Sequence, residues 1–205
     1  MNPAEEAPAH AVPGGEGAAH GVPAAEAAAD AAPAAEAAFP GTAAAETAGG
    51  RMSVGRTPAE VVRAVTAGVG RLIAGNLSEA DREAELDRLA ALYAERTDVR
   101  HPLRPLGDTP LRTRAELRKH FAEGPGAARA ERFEAVGEVR STDDPEVVVY
   151  EFRYEVTVGD REFSLPCVFV TRVRDGEIVE SRDYNDHIGM ARAFNFLDSL
   201  AAQLT

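Results

Sequence analysis

Polar and apolar positions follow two rhythms along this chain. From Thr57 the apolar residues recur every three or four positions, the spacing of one helix face. Thr57-Pro58-Ala59-Glu60 combines a capping side chain, proline at the first helical position and glutamate three residues after the cap, which predicts a helix start. Val61, Val65, Val69 and Leu72 form its stripe as far as Gly75. Ser78 with Asp81 opens a second helix whose stripe is read as Leu86, Leu89, Leu92 and Tyr93. Thr97 to Pro102 reads as a short strand running into a proline-rich loop. Thr113 with Glu116 opens a third helix with Leu117 and Phe121 on one face.

Beyond Gly126 the period changes to two. Phe133, Ala135, Gly137 and Val139 alternate with polar residues. Val148, Tyr150, Phe152, Tyr154, Val156 and Val158 then share one face, and after a Gly159-Asp160 turn so do Phe163, Leu165, Cys167, Phe169, Thr171 and Val173. Pro166 inside that run predicts a bulge or an unpaired edge. Asp175-Gly176 is a two-residue hairpin signal, followed by a strand from Ile178 to Tyr184. A single closing helix is read with Met190, Phe194, Leu197, Leu200 or Ala201, and Leu204 as its stripe. Helices followed by a meander of long strands indicate an α+β fold with helices covering one face of a bent antiparallel sheet. Such a bend tends to enclose a cavity in which ligands bind.

Residues 1–51 are different in kind. Pro recurs at 13, 23 and 33 and Glu at 16, 26, 36 and 46, filled in with Ala and Gly. Each repeat offers too little apolar surface to offset the entropy of ordering it, and the regular proline interrupts any alanine-driven helix. The stretch reads as a disordered acidic tail, with a partner-binding arm as the alternative and Met52 as an alternative start of the chain. The folded domain is expected over residues 57–205.

Charge and cysteine content narrow the function. The 205 residues carry a net charge of −12, which disfavours nucleic acid as a partner because phosphate binding needs clustered Lys and Arg. No apolar run is long enough to span a bilayer, and the N-terminus lacks the basic and apolar regions of a signal peptide, so a cytoplasmic protein is expected. A lone cysteine, Cys167, excludes an internal disulfide framework. It lies in an apolar strand pattern, where a core thiol is favoured over a nucleophile. No metal-ligand spacing, phosphate loop or serine-hydrolase elbow is present, so neither metal nor cofactor is expected.

Two residues stand out. His101 ends the short strand before a proline, where an imidazole suits a general base or simply a hydrogen bond at a loop entrance. Asp183 shares an alternating face with Ser181 and Asn185. Walled by Tyr150, Phe152 and Phe169, its carboxyl would be desolvated and tuned for proton transfer; alternatively it pairs with an arginine or caps the closing helix. His120 reads as a partly buried structural residue, and His187 as a helix starter.

Leu92-Tyr93-Ala94-Glu95 with Val99-Arg100-His101-Pro102, the capped third helix, Arg174 to Val179 and Arg182-Asp183-Tyr184-Asn185-Asp186 resemble the SnoaL-like branch of the nuclear-transport-factor-2-like superfamily. The resemblance covers residues 57–205. It implies a conical α+β barrel around an apolar pocket, assembled as a homodimer, with a small hydrophobic molecule as ligand and no cofactor. His101 falls where ketosteroid isomerase carries its aspartate base, whereas that enzyme's oxyanion donors fall near Gly68 and Phe169, which cannot donate from a side chain. Asp183 falls where limonene epoxide hydrolase carries a catalytic aspartate, but that enzyme's arginine and second aspartate fall at Tyr150 and Phe152. SnoaL-type cyclases also use an acid on this last strand, and phenazine-biosynthesis relatives pair a histidine with it. The implied site has His101 and Asp183 as catalytic residues, with Tyr150, Phe152, Phe163, Phe169, Ser181 and Asn185 contacting a polyketide-, terpenoid- or aromatic-like substrate. The reaction would be isomerisation, cyclisation or hydration; the alternative is a non-catalytic binding or assembly module of the same fold.

Overall fold

The computed structural model describes residues 55–124 and 128–205. The repeat region and Met52 lie outside them, and with them the expectations of a tail and an alternative start. Helix α1 (Pro58–Ile73) begins with the capping box: the Glu60 carboxylate accepts from the Thr57 backbone N–H at 2.7 Å, and the Thr57 hydroxyl accepts from Glu60 N–H at 3.3 Å. Its stripe Val61, Val65, Val69 and Leu72 is buried. Helix α2 (Glu79–Ala90) is capped by Ser78 and buries Leu86 and Leu89. Leu92 and Tyr93 lie beyond its end. The helix stops at Ala90, and Tyr93 is instead the first residue of strand β1 (Tyr93–Arg100). Their apolar character served both elements, so helical spacing ran past the true boundary. Glu85 is buried between the two helices, with Arg71 and Arg88 each 2.7 Å from one of its oxygens. Strand β2 (Leu111–Thr113) leads directly into α3 (Arg114–Glu123), capped by Thr113 and Glu116 and burying Leu117 and Phe121.

Strands β3 (Arg132–Ser141), β4 (Val147–Val158), β5 (Arg161–Arg174) and β6 (Glu177–Asn185) form the meander. The six-stranded sheet is open and curved, in the order β2-β1-β6-β5-β4-β3. The chain is α+β, but the sheet is mixed rather than wholly antiparallel: β1 pairs with β6 in parallel. Alternation fixes which face a side chain takes, not strand direction, and the long stretch between β1 and β6 supplies the crossover that parallel neighbours need. The β5–β6 turn has Asp175 at φ 52° and Gly176 at φ 81°, the two left-handed residues of a tight hairpin. Pro166 makes no bulge against β4, where its pairing with Arg153 is regular. Ladder pairing with β6 ends at Cys167, and Pro166 contributes there only a carbonyl, which accepts from Asp186 N–H at 3.2 Å. The missing donor therefore costs the ladder nothing.

One face of the sheet carries the core. Phe133, Tyr150, Phe152, Tyr154, Leu165 and Phe169 are buried there, and α1 packs against β3, β4 and β5. The closing helix is two helices, α4 (His187–Ala193) and α5 (Leu197–Gln203). Asn195 at φ 59° breaks the stripe, since a left-handed residue ends a helix, and Arg161 holds the break by donating to Ala193 O at 3.1 Å and Asn195 Oδ1 at 2.8 Å. Leu200 is buried, whereas Leu197 and Leu204 are exposed.

Gly137 sits where β3 meets β4 most tightly. A Cβ there would lie 2.2 Å from Glu151 O and 2.4 Å from Phe152 Cα, backbone atoms that cannot step aside. Gly137→Ala is expected to cost roughly 1–3 kcal/mol or more, read as a lower urea midpoint with an unchanged slope. An unchanged midpoint would contradict this packing.

Candidate functional site

The register of the sheet assembles the site. Tyr150 pairs with Phe169, and Phe169 with Asp183. Arg100 pairs with Arg182, so His101, the next residue, falls beside Asp183. Tyr150, Phe169, Asp183 and His101 thus form one row across β4, β5, β6 and the end of β1. Tyr150, Phe169 and Asp183 lie on the buried face, and His101 is buried with them at 9% exposure. Phe152 joins on the same face, its ring stacked 4.3 Å from Tyr150 and edge-on at 4.9 Å to Phe169.

Asp183 is 7% exposed. Its Oδ1 accepts from the Ser181 hydroxyl at 2.5 Å. Having given its only proton to Asp183, Ser181 must itself accept from Thr171, 3.0 Å away. Among the described residues, Asp183 neither pairs with an arginine nor caps a helix. The Arg182 guanidinium meets Asp98 and Glu180, each at 2.9 Å, and the cap of α4 is Asp186, which accepts from Gly189 N–H at 2.8 Å. Burial raises the Asp183 carboxyl to about 7, against the opposing pull of the Ser181 hydrogen bond and the Arg182 charge. Tyr93 and Tyr154 are raised chiefly by burial, and the Asp183 charge adds to both. Cys167 is pushed up to about 12 by burial, as befits a core thiol.

His101 follows the last residue of β1. Its backbone N–H donates to Asp108 Oδ1 at 2.8 Å, and its carbonyl accepts from Arg104 N–H at 3.0 Å, turning the loop back over the strand end. The imidazole lies 5.1 Å from the ring of His120 and 6.5 Å from that of His187. No hydrogen bond joins His101 to Asp183 among the described residues. Burial lowers His101 to about 4, with His120, His187 and Arg104 adding to the shift and Asp108 opposing it. Burial likewise lowers His120 to about 4, helped by Arg104 and His187. His187 is lowered by burial and Arg104 against Asp186, and its Nε2 is buried without a hydrogen-bond partner. All three rings are therefore neutral at pH 7.

His120 and His187 were read as structural from sequence, yet both complete this cluster. The available signal was positional: His187 directly follows the strand that lies beside His101, and His120 shares the apolar face of α3 with Leu117 and Phe121. Not every expected residue gathers here. Phe163 lies six positions along β5 from Phe169, about 20 Å away. It lines a separate surface cavity of about 600 Å³ with Arg161, Ala191 and Leu197, and the Arg161 guanidinium stands 5.1 Å over its ring. Asn185 is half-buried at the end of a second cavity of about 590 Å³, among Val136, Glu151, Arg153, Val168 and Tyr184. Neither cavity is lined by His101 or Asp183. Among the described residues, no group of three or more His, Cys, Asp and Glu side chains is arranged to hold a metal ion, and no helix is long and apolar enough to cross a membrane.

Compared with known families, residues 76–181 match the SnoaL-like domain. The chain belongs to that family. Among solved structures, the SnoaL-like chain is similar to a Bacillus subtilis protein named as an isomerase, at 20% identity and a TM-score of 0.54, covering 68% of this chain and 94% of that one. It is also similar to a Catenulispora acidiphila protein of ketosteroid isomerase-like fold solved with trimethylamine, at 17% identity and 0.48, covering 68% and 95%. A third is SalBIII, described as an epoxide hydrolase/cyclase-like enzyme in pyran ring formation in polyether salinomycin, at 17% and 0.46, covering 64% and 92%. At these identities the likeness is one of fold. No curated protein matches the chain.

The opposed shifts give the SnoaL-like domain a distinctive acid response. His101 and His120, ordinarily near 6.5, bind protons more weakly when folded, so stability falls as pH drops from about 6.5 towards 4. Asp183, ordinarily near 3.8, binds its proton more tightly when folded, so over the same range it favours the folded state. Asp183→Asn removes the opposing contribution and should steepen the loss of stability between pH 6.5 and 5. Urea midpoints measured across that range check this; a slope equal to or shallower than wild type would contradict it.

Proposed function

We propose that this SnoaL-like domain acts on a small hydrophobic metabolite, of polyketide-, terpenoid- or aromatic-like character, by cofactor-free acid–base chemistry. The observation that carries this reading is Asp183. It is a buried carboxyl with one hydroxyl donor and, among the described residues, no ion-pair partner, adjacent in register to a buried histidine. Such a group exchanges protons near neutrality. Ionised Asp183 takes a proton from an acidic carbon and, once protonated, returns it elsewhere on the same molecule. His101 is too weak a base to carry a proton at pH 7. Its neutral N–H instead donates to the oxygen on which charge develops, as a neutral imidazole can in a dry site. Ser181, fixed by Thr171, orients the carboxylate, while Tyr150, Phe152 and Phe169 supply the apolar wall. Isomerisation and ring closure with proton return fit this shuttle as it stands; hydration fits it with water as the proton source, Asp183 taking a proton from the attacking water and returning it to the substrate carbon.

A binding or assembly role is the second reading. It is favoured by the packing of Tyr150, Phe152 and Phe169 ring against ring, and by the absence of His101 and Asp183 from the two cavities described above. The second of those cavities crosses the outer sheet face, where Val136 and nearby Leu103 are exposed; we assign that face to a homodimer contact.

The two readings separate on a carbon acid. With 2-tetralone in D2O, the acid–base reading expects exchange of the protons beside the carbonyl, followed by proton NMR. Exchange should fall by about 100-fold or more in Asp183→Asn, with the melting temperature at neutral pH not lowered, since the variant is relieved of a buried ionised carboxyl. Equal rates in wild type and Asp183→Asn would overturn it in favour of the binder.

A further inference from the structure

The end of β1 gathers polar groups that the proton shuttle does not use. His101 follows β1, His120 comes from the last turn of α3 and His187 opens α4, and the rings of His120 and His187 lie 5.1 and 6.5 Å from that of His101. No ring nitrogen of the three is engaged in a hydrogen bond among the described residues, and His187 Nε2 is buried in that state. A three-ring cluster built only for packing would normally bond its polar atoms to backbone or side chain. The loop 101–107 turns back at His101 through the Arg104 N–H, and the charge of Arg104 acts on all three rings. Arg104 is exposed and makes no side-chain hydrogen bond or ion pair among the described residues.

The acidic groups facing the cluster are already committed. Asp108 accepts the His101 backbone N–H and lies 3.7 Å from Arg100. Asp186 caps α4. What remains, among the described residues, is one guanidinium without a counter-ion whose charge reaches three imidazoles with unbonded nitrogens, one of them next in register to Asp183.

We infer that His101, His120, His187 and Arg104 form a subsite for a carboxylate on the substrate. A planar carboxylate matches the fork of an arginine and leaves its second oxygen edge for imidazole N–H groups. This deepens the proposed function and rests on it for the identity of the ligand as substrate: the apolar body lies towards Asp183, and the acid group lies at the histidine cluster. The bound anion favours the protonated form of the rings beside it and of Asp183 alike, so binding takes up protons from solution.

Calorimetry of the full chain at pH 6.2 with 2-naphthoate and its neutral counterpart 2-naphthamide tests this. Titrations in MES and Bis-Tris, whose ionisation enthalpies differ, count the protons taken up. Expected is naphthoate binding about tenfold or more tighter than naphthamide, with net proton uptake. The preference should vanish in Arg104→Gln, an exposed loop change that leaves the core untouched. It should shrink in His187→Gln and persist in Asp183→Asn. Equal affinity for the two probes, a preference that survives Arg104→Gln, or no binding of naphthoate overturns the subsite. The two readings fail separately. Naphthoate preference without 2-tetralone exchange removes the acid–base reaction and leaves the subsite, whereas exchange without naphthoate preference does the reverse.

Discussion

The parallel pairing of β1 with β6 governs what this end of the molecule can do. Every other pairing in the sheet is antiparallel. Because β1 runs alongside β6 in the same direction, the residue after its end, His101, arrives beside Asp183, and the loop that follows turns back at the strand end. With the opposite direction Tyr93 would end the strand there and His101 would lie at the far edge. The hairpin at Asp175-Gly176 fixes the register of β6 against β5, and so decides which of its residues faces Phe169. A slip of one residue would turn Asp183 to the outer face and bring the paired Arg182 inward.

Burial then acts on two kinds of group in opposite senses. A low-polarity surround penalises charge of either sign, so it raises the carboxyl and lowers the imidazoles. Near pH 7 the interior therefore holds a carboxyl poised between its two forms beside neutral rings. The salt bridges of β5 and β6 lie on the outer face. Arg172 and Arg174 meet Glu146 there, and Arg182 meets Asp98. The guanidinium groups of β5 and β6 are thus occupied away from Asp183. The Ser181 hydroxyl, anchored by Thr171, is left to orient the carboxyl without neutralising it.

Much of the fold was legible because each signal is local. Capping boxes at Thr57 and Thr113, the alternation of Val148 to Val158 and the Asp175-Gly176 turn each specify their element without reference to the rest of the chain. What lay beyond the sequence depended on contacts between distant segments. Strand direction between β1 and β6 leaves no trace in alternation. The break at Asn195 is held by Arg161 from another hairpin. Phe163 alternates in phase with Phe169 and so shares its face, but phase says nothing about distance along the strand, and it lines a different cavity. Asp183 and His101 were visible from their residue type and position. Their companions His120 and His187 were not, since only the docking of α3 and α4 brings those rings to His101.

The central claim is that Asp183 is held dry and unpaired, so that it titrates near neutrality. Its side-chain carboxyl carbon, followed by NMR from pH 4 to 9 in the ligand-free protein, measures this directly. A midpoint near 7 that rises in Ser181→Ala, where the one hydroxyl donor is lost, is the expected result. A midpoint near 3.8, the ordinary value of an aspartate, would contradict the account.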